Sequence, residues 1–228
     1  MRRSVRRRLE VGIVALGLAA LTASCGGGGS NARLRLMNAS PDEGNVDALI
    51  DSKTIATGIG FGTASNYASV GSGSRHLQIE LSGTSTPVVD ETLTLSSGLD
   101  TTLLLANFAT NLNAIQLQDD NSPPTSGDAK LRVVNAASSL APADVYVVSD
   151  GTDINSVAPF ITNMEFESAS TYATLTPGTY RIWFTAPGQK FVFIDSGPLS
   201  ISAGQVRTVV GMNNSLGAFS SVVLSDLN

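Results

Sequence analysis

The stretch Ala32-Arg-Leu-Arg-Leu-Met-Asn-Ala39 returns later in the chain as Ala129-Lys-Leu-Arg-Val-Val-Asn-Ala136. The correspondence then keeps its register. Val46-Asp-Ala-Leu-Ile50 lines up with Ala143-Asp-Val-Tyr-Val147. Phe61-Gly-Thr-Ala-Ser-Asn-Tyr67 lines up with Phe166-Glu-Ser-Ala-Ser-Thr-Tyr172, after a longer loop in the second copy. Leu93-Thr-Leu-Ser-Ser-Gly98 matches Leu199-Ser-Ile-Ser-Ala-Gly204, and Ala114-Ile-Gln-Leu-Gln-Asp119 matches Ser221-Val-Val-Leu-Ser-Asp226. Matches spread over such a length at nearly one offset mark a duplication. Each copy spans about 100 residues, the usual size of one domain.

Each copy reads as strands. Leu34 and Leu36 alternate with Arg33 and Arg35, as Leu131 and Val133 do with Lys130 and Arg132. Leu77, Ile79 and Leu81 alternate with His76, Gln78 and Glu80, and Tyr180, Ile182 and Phe184 with Arg181, Trp183 and Thr185. A period of two places apolar side chains on one face of a half-buried strand. The continuous apolar stretches Leu103–Ala106 and Val209-Val210 suit central strands with better cover. Turn residues such as Gly71-Ser-Gly73, Pro177-Gly178 and Pro187-Gly188 punctuate the runs. About seven short strands per copy suit a sandwich. The expected fold is all-β, two tandem immunoglobulin-like antiparallel β-sandwich domains at 32–121 and 129–228. Between them, residues 122–128 hold consecutive prolines and form a short semi-rigid spacer.

The N-terminus supplies an address. Arg2, Arg3, Arg6, Arg7 and Arg8 precede an apolar run from Val11 to Ala23. A basic start, a short apolar run and small residues at the cut form a signal peptide, here residues 1–24. The run is shorter than the roughly 20 residues a membrane span needs. Leu21-Thr-Ala-Ser-Cys25 resembles the lipobox of bacterial lipoproteins, which implies lipid attachment at Cys25 and cleavage just before it. Cys25 is the only cysteine, so no internal disulfide is available. Residues 25–31 then form a lipidated Cys and Gly-rich tether reaching about 12 Å. Gly26 after the Cys is compatible with sorting to an outer membrane. The expected location is therefore exported and lipid-anchored, at the outer membrane or cell surface. Cleavage removes five Arg and one Glu, leaving 9 basic against 18 acidic side chains, a net charge of −9. That balance argues against nucleic-acid binding, which needs a basic footprint.

Arg33-Leu-Arg-Leu-Met-Asn-Ala-Ser-Pro-Asp42 is followed by Val46-Asp47, then Phe61-Gly-Thr63 and the exit Asp119-Asp-Asn-Ser-Pro-Pro124. These residues resemble the family catalogued as domain of unknown function 4397. The resemblance runs over nearly all of residues 32–228 and implies tandem β-sandwich modules of bacterial envelope proteins. The second copy departs from it where Asn135-Ala-Ala-Ser-Ser139 lacks the Pro-Asp pair. The resemblance implies no activity and transfers no catalytic residue.

The residues offer little catalytic chemistry. The one histidine, His76, is expected on a solvent-facing strand position, and a general base needs a nucleophile and an orienting group besides. The zinc-site pattern, the Gly-x-Ser-x-Gly elbow and the phosphate-binding Gly-x-x-x-x-Gly-Lys loop are all missing from the sequence. No cofactor or metal is implied. Carboxylates cluster at Asp42, Glu43 and Asp47, at Asp119 and Asp120, and at Asp150 and Asp153. They read as turn-shaping acceptors, with calcium ligation as the alternative. The binding candidate is Trp183. If Tyr180, Ile182 and Phe184 face the core, Trp183 faces outward, either as a bare platform for a sugar or protein partner or packed under the 149–165 loop or against the other domain; the inverted parity would turn it inward.

Three functional readings follow. The first is a non-enzymatic, lipid-anchored envelope module that binds or scaffolds another envelope component. The second is a surface adhesin or carbohydrate-binding protein using Trp183 and the loop at Ser149–Ile161. The third is a hydrolase with an unrecognised site. The partners they imply are the membrane through the lipid and an envelope protein or a glycan.

Overall fold

The computed structural model describes residues 31–227, so Cys25 and the signal peptide lie outside the described residues. The first repeat runs β1 (Asn31–Asn38), β2 (Val46–Ile50), β3 (Lys53–Ile59), β4 (Thr63–Ala64), β5 (Ala68–Gly71), β6 (Gly73–Leu81), β7 (Pro87–Leu95), β8 (Asp100–Ala106) and β9 (Asn113–Asp119). The second runs β10 (Ala129–Ala136), β11 (Ala143–Ser149), β12 (Ile161–Met164), β13 (Ser168–Ala169), β14 (Ala173–Leu175), β15 (Gly178–Thr185), β16 (Val192–Asp195), β17 (Leu199–Ile201), β18 (Val206–Asn213) and β19 (Phe219–Leu227). These outnumber the expected strands because edge strands are broken into short pieces, as β4 and β5 are along β1.

The architecture is all-β, a pair of tandem β-sandwiches. In the first, β4 and β5 flank β1, then β8 and β9, against a second sheet ordered β3-β2-β6-β7. In the second, β13 and β14 flank β10, then β18 and β19, against β12-β11-β15 with β16 and β17. The ladders are antiparallel except for one pair in each sandwich, β1 with β8 and β10 with β18, which run parallel.

Strand alternation builds three cores rather than two. Leu34, Leu36, Leu103 and Leu105 point into the first sandwich with Ala48, Leu77 and Ile79. Leu131, Val133 and Val209 meet Val145, Ile182 and Phe184 in the second. The opposite faces of the same central strands carry Met37, Leu104, Val134 and Val210, which pack together as a third cluster between the repeats. The four sheets therefore stack in one body. This differs from the expectation of half-buried strands. Arg35 and Arg132 alternate with apolar residues yet are 4% and 3% exposed, because the other repeat covers their face.

The shared Asn-Ala dipeptide also has a local cause. Fully buried Asn38 donates to the Gly44 and Ile59 carbonyls and accepts from the Ser40 amide. Asn135 does the same with Leu140, Met164 and Ala137. One amide side chain thus satisfies three backbone groups of the following loop and strand, the buried ones of which an apolar residue would leave orphaned.

Strand direction sorts the ends. The Gly98 amide donates to the Asn31 carbonyl, and Asp100 pairs with Asp119. Val206 pairs with both Lys130 and Leu227. Both repeats thus begin and finish at one end. Loops 39–45, 107–112, 137–142 and 214–218 and the 186–191 hairpin lie at the other.

The two cores exchange volume. Ile79 and Leu105 share the first core. At the corresponding places the second has Phe184 and Gly211, and a Cβ on Gly211 would sit 2.8 Å from the Phe184 ring. Gly211→Leu is expected to cost about 1–3 kcal/mol through overpacking, and adding Phe184→Ile to recover most of it. Urea unfolding followed by Trp183 fluorescence measures the coupling, and simple additivity of the two substitutions would refute the exchange.

Candidate functional site

The densest chemistry of the molecule lies where the repeats meet. Arg35 Nε donates to Thr102 Oγ1 at 2.8 Å, and that hydroxyl donates to Asp119 at 2.6 Å. Asp119 takes Arg132 Nη2 at 2.5 Å, and Arg132 Nε donates to Thr208 Oγ1 at 3.0 Å. Thr208 Oγ1 donates to Asp226, and Asp226 takes Arg35 Nη2, closing the ring. The ring has an approximate two-fold, each arginine reaching the other repeat's aspartate. Arg35 also donates to the Ser225 carbonyl and Arg132 to the Gln118 carbonyl. Tyr67 and Tyr172 cap it, their rings 4.6 and 4.8 Å from the two guanidinium carbons. Their hydroxyls donate to Asp119 and Asp226.

Burial sets the electrostatics. It works against the charged form of Arg35, but Asp226 and Asp119 outweigh it and raise the pKa. Burial pushes Tyr67 well above the usual phenol range, and Asp119 adds to this while Arg35 opposes. Tyr172 is raised in the same way, chiefly by burial, against the pull of Arg132. Both aspartates, both threonine hydroxyls and both tyrosine hydroxyls are engaged within the cluster, which acts as a structural clamp between the repeats.

The residues singled out from sequence are scattered. His76 is half-buried; its ring meets Asp90 at 2.6 Å and its backbone amide donates to Asp51. Asp42 caps the Ala109 amide, Asp47 takes the Gly58 amide and the Ser82 hydroxyl, and Asp153 takes the Asn155 amide. Glu43 accepts from the Gly44 amide, Asp120 meets Ser122 and Lys130, and Asp150 meets Arg181. Asp119 departs from its expected role: it is a buried ring member rather than a turn-shaper. Among the described residues no group of three or more His, Cys, Asp or Glu side chains is placed to hold a metal ion. Trp183 does face away from the core, but it is 8% exposed and offers no bare platform. Its cross-strand neighbour Tyr146 is buried beside it.

The family model of the domain of unknown function DUF4397 matches residues 32–146. The chain belongs to this family. The matched part includes Arg35, Tyr67, Thr102, Asp119 and Arg132, five of the eight residues of the capped ring. A comparison with curated proteins finds no match. Among solved structures the DUF4397 chain is similar to a streptococcal family 41 carbohydrate-binding module described in alpha-glucan recognition, at 10% identity and TM-score 0.30, covering 84% of this chain and 96% of that one. It is also similar to a family 26 module from Eubacterium rectale in complex with maltoheptaose, at 10% identity and TM-score 0.28, covering 87% and 98%. The Bacillus anthracis TIE protein follows at 12% identity and TM-score 0.27, covering 85% of this chain and 34% of that one.

Two open clefts flank the ring in this DUF4397 protein. One of about 590 Å³ is lined by Arg33, Asp100, Asp120 and Asn121, the other of about 540 Å³ by Gln116, Gln118, Arg132 and Tyr172. Among the described residues the exposed large apolar side chains lie elsewhere, all on the second repeat, Phe160 among them. Phe191 and Phe193 are 69% and 41% exposed, and their rings stack edge-on at 4.9 Å. Phe193 in turn meets Phe219 at 5.8 Å, and Leu216 is bare on the neighbouring hairpin. This cluster was missed in the sequence. Its signal was Phe191 and Phe193 flanking Val192, with no aromatic at the matching strand of the first copy.

Removing one ring charge leaves its partner buried and unpaired. Arg132→Met is expected to cost about 3–5 kcal/mol, and the pair Arg132→Met/Asp119→Leu less than the sum of the two singles. Denaturant unfolding of all three variants tests this. The raised tyrosines give a second test. The fold favours the protonated phenols, so their contribution is intact below about pH 10 and is lost as pH rises toward their folded values. Alkaline phenolate absorbance of the four tyrosines is expected to show a late-titrating group that disappears in Tyr67→Phe/Tyr172→Phe.

Proposed function

We propose that this chain is a bacterial envelope lipoprotein, acylated at Cys25, whose double sandwich is a non-catalytic module binding another envelope component. One observation carries the reading. The exposed rings of Phe191 and Phe193, seated on half-buried Phe219, lie at the end where the 186–191 and 214–218 hairpins gather. Asn31, where the tether joins, lies at the other end. A lipid at Cys25 would hold that end against the membrane and turn the aromatic end outward. Contiguous exposed aromatics on a rigid body are a common mark of a recognition surface. The buried ring supports the rigid part of the reading and leaves no reactive constellation for turnover. A glycan partner is the second reading, favoured by the same cluster, since aromatic faces stack on sugar rings as well as anchor proteins.

Crosslinking in intact envelopes, followed by recovery of the chain and mass spectrometry, tests the proposal. A stoichiometric partner that is lost in Phe191→Ser/Phe193→Ser is expected. A partner retained by that variant would overturn the named surface. Cys25→Ala is expected to abolish labelling by a fatty-acid probe and to release the chain from the membrane fraction. Unchanged labelling would refute the anchor.

A further inference from the structure

The second repeat has two features that the first lacks, and they fall at one place. The tight turn Asp51-Ser52 joins β2 to β3, whereas residues 150–160 join β11 to β12. The outer sheet of the first repeat has the cross-strand pair Leu49 and Gln78, where the second has Tyr146 and Trp183. These two aromatics face away from the core formed by Val145, Ile182 and Phe184. They are buried all the same, and the longer segment passes beside Tyr146. Lys190 fastens it. Its Nζ sits 4.7 Å from the Tyr146 ring centroid and donates to the carbonyls of Ile154 at 2.9 Å and Val157 at 2.5 Å.

The segment is held lightly. None of its side chains from Asp150 to Phe160 is buried. Asp153, Asn155 and Ser156 bond within the segment. Among the described residues, the hydrogen bonds that tie 153–159 to the rest of the fold are the two from Lys190. A stretch that fully buries no apolar side chain and hangs on two side-chain hydrogen bonds belongs to the low-stability end of a fold.

We propose that residues 150–160 are a lid, latched by Lys190, over a glycan-binding platform made by Tyr146 and Trp183. Opening releases two adjacent aromatic faces. Arg181 lies on the same face of β15 as Trp183, bonded to Asp150 and Asp195 at 2.6 Å each. An apolar floor with charged hydrogen-bonding groups at its rim matches a pyranose ring, which is apolar on its faces and hydroxylated at its edge. A peptide strand is disfavoured, because β11 and β15 are paired on both sides and offer no free edge. The inference rests on the reading of the chain as a binding module but uses a different face from Phe191 and Phe193.

Trp183 is the only tryptophan, so in the folded chain its quenching reads the accessibility of this one site. In the full chain, Lys190→Met keeps the apolar stem and removes both bonds. It is expected to raise acrylamide quenching about twofold or more with unchanged circular dichroism. Unchanged quenching would overturn the latch. Titration with cellohexaose, chitohexaose, xylohexaose and mannohexaose is expected to show at least one ligand binding Lys190→Met about tenfold more tightly than wild type, the factor that removing a competing closed state allows. Reverting the floor to the first repeat's residues, Trp183→Gln or Tyr146→Leu on that background, is expected to abolish it. The two reversions keep the test open if one fails to fold. Raised quenching with no binding of any hexasaccharide would overturn the glycan assignment. Neither result depends on the distal phenylalanines, so failure here is distinct from failure of the crosslinking experiment.

Discussion

Two arginines inside a protein must be neutralised where they sit, since an isolated buried charge costs far more than a domain's net stability. Arg35 and Arg132 each lie in the middle of a central strand, and neither finds its carboxylate in its own repeat. Each is answered by the last aspartate of the other repeat's final strand. Neither sandwich can bury its inner sheet without its neighbour in register, and the four-sheet stack follows from that reciprocal demand. The apolar cluster of Met37, Leu104, Val134 and Val210 adds contact area but little direction. The ring supplies the direction, because guanidinium and carboxylate groups bond at fixed angles.

The same demand accounts for which residues the two copies share. Arg35 and Arg132, Thr102 and Thr208, Asp119 and Asp226, and Tyr67 and Tyr172 are identical pairs because they occupy equivalent places around one axis. Phe61 and Phe166 pack at the same interface. The pairs that differ are just as informative. Ile79 and Leu105 become Phe184 and Gly211 with core volume kept, a private matter for each sandwich. Leu49 and Gln78 become Tyr146 and Trp183 on the outer sheet, where no second copy constrains the change. Identity collects in the polar ring at the joint, and the differences fall in the separate cores and on the outer faces.

Duplication, strand character and the inward parity of Ile182 and Phe184 were legible in the residues alone, because backbone geometry forces a period of two wherever one sheet face is dry. The outward parity of Trp183 was legible too, but its burial was not, because that depends on which segments pack over the outer face of β15. Asp119 read as a turn residue for a similar reason: its partner Arg132 belongs to the other repeat.

By itself the sequence determined two β-sandwich repeats, their strands and their family, since these depend on local periodicity and on matching residues along the chain. Only the tertiary structure decided that the polar face of the central strands is interior, that the aromatic surface gathers at one end, and that Trp183 is covered. Each of those turns on which groups meet across space. A buried charge, an exposed ring and a covered one have the same local sequence pattern until a partner surface is present.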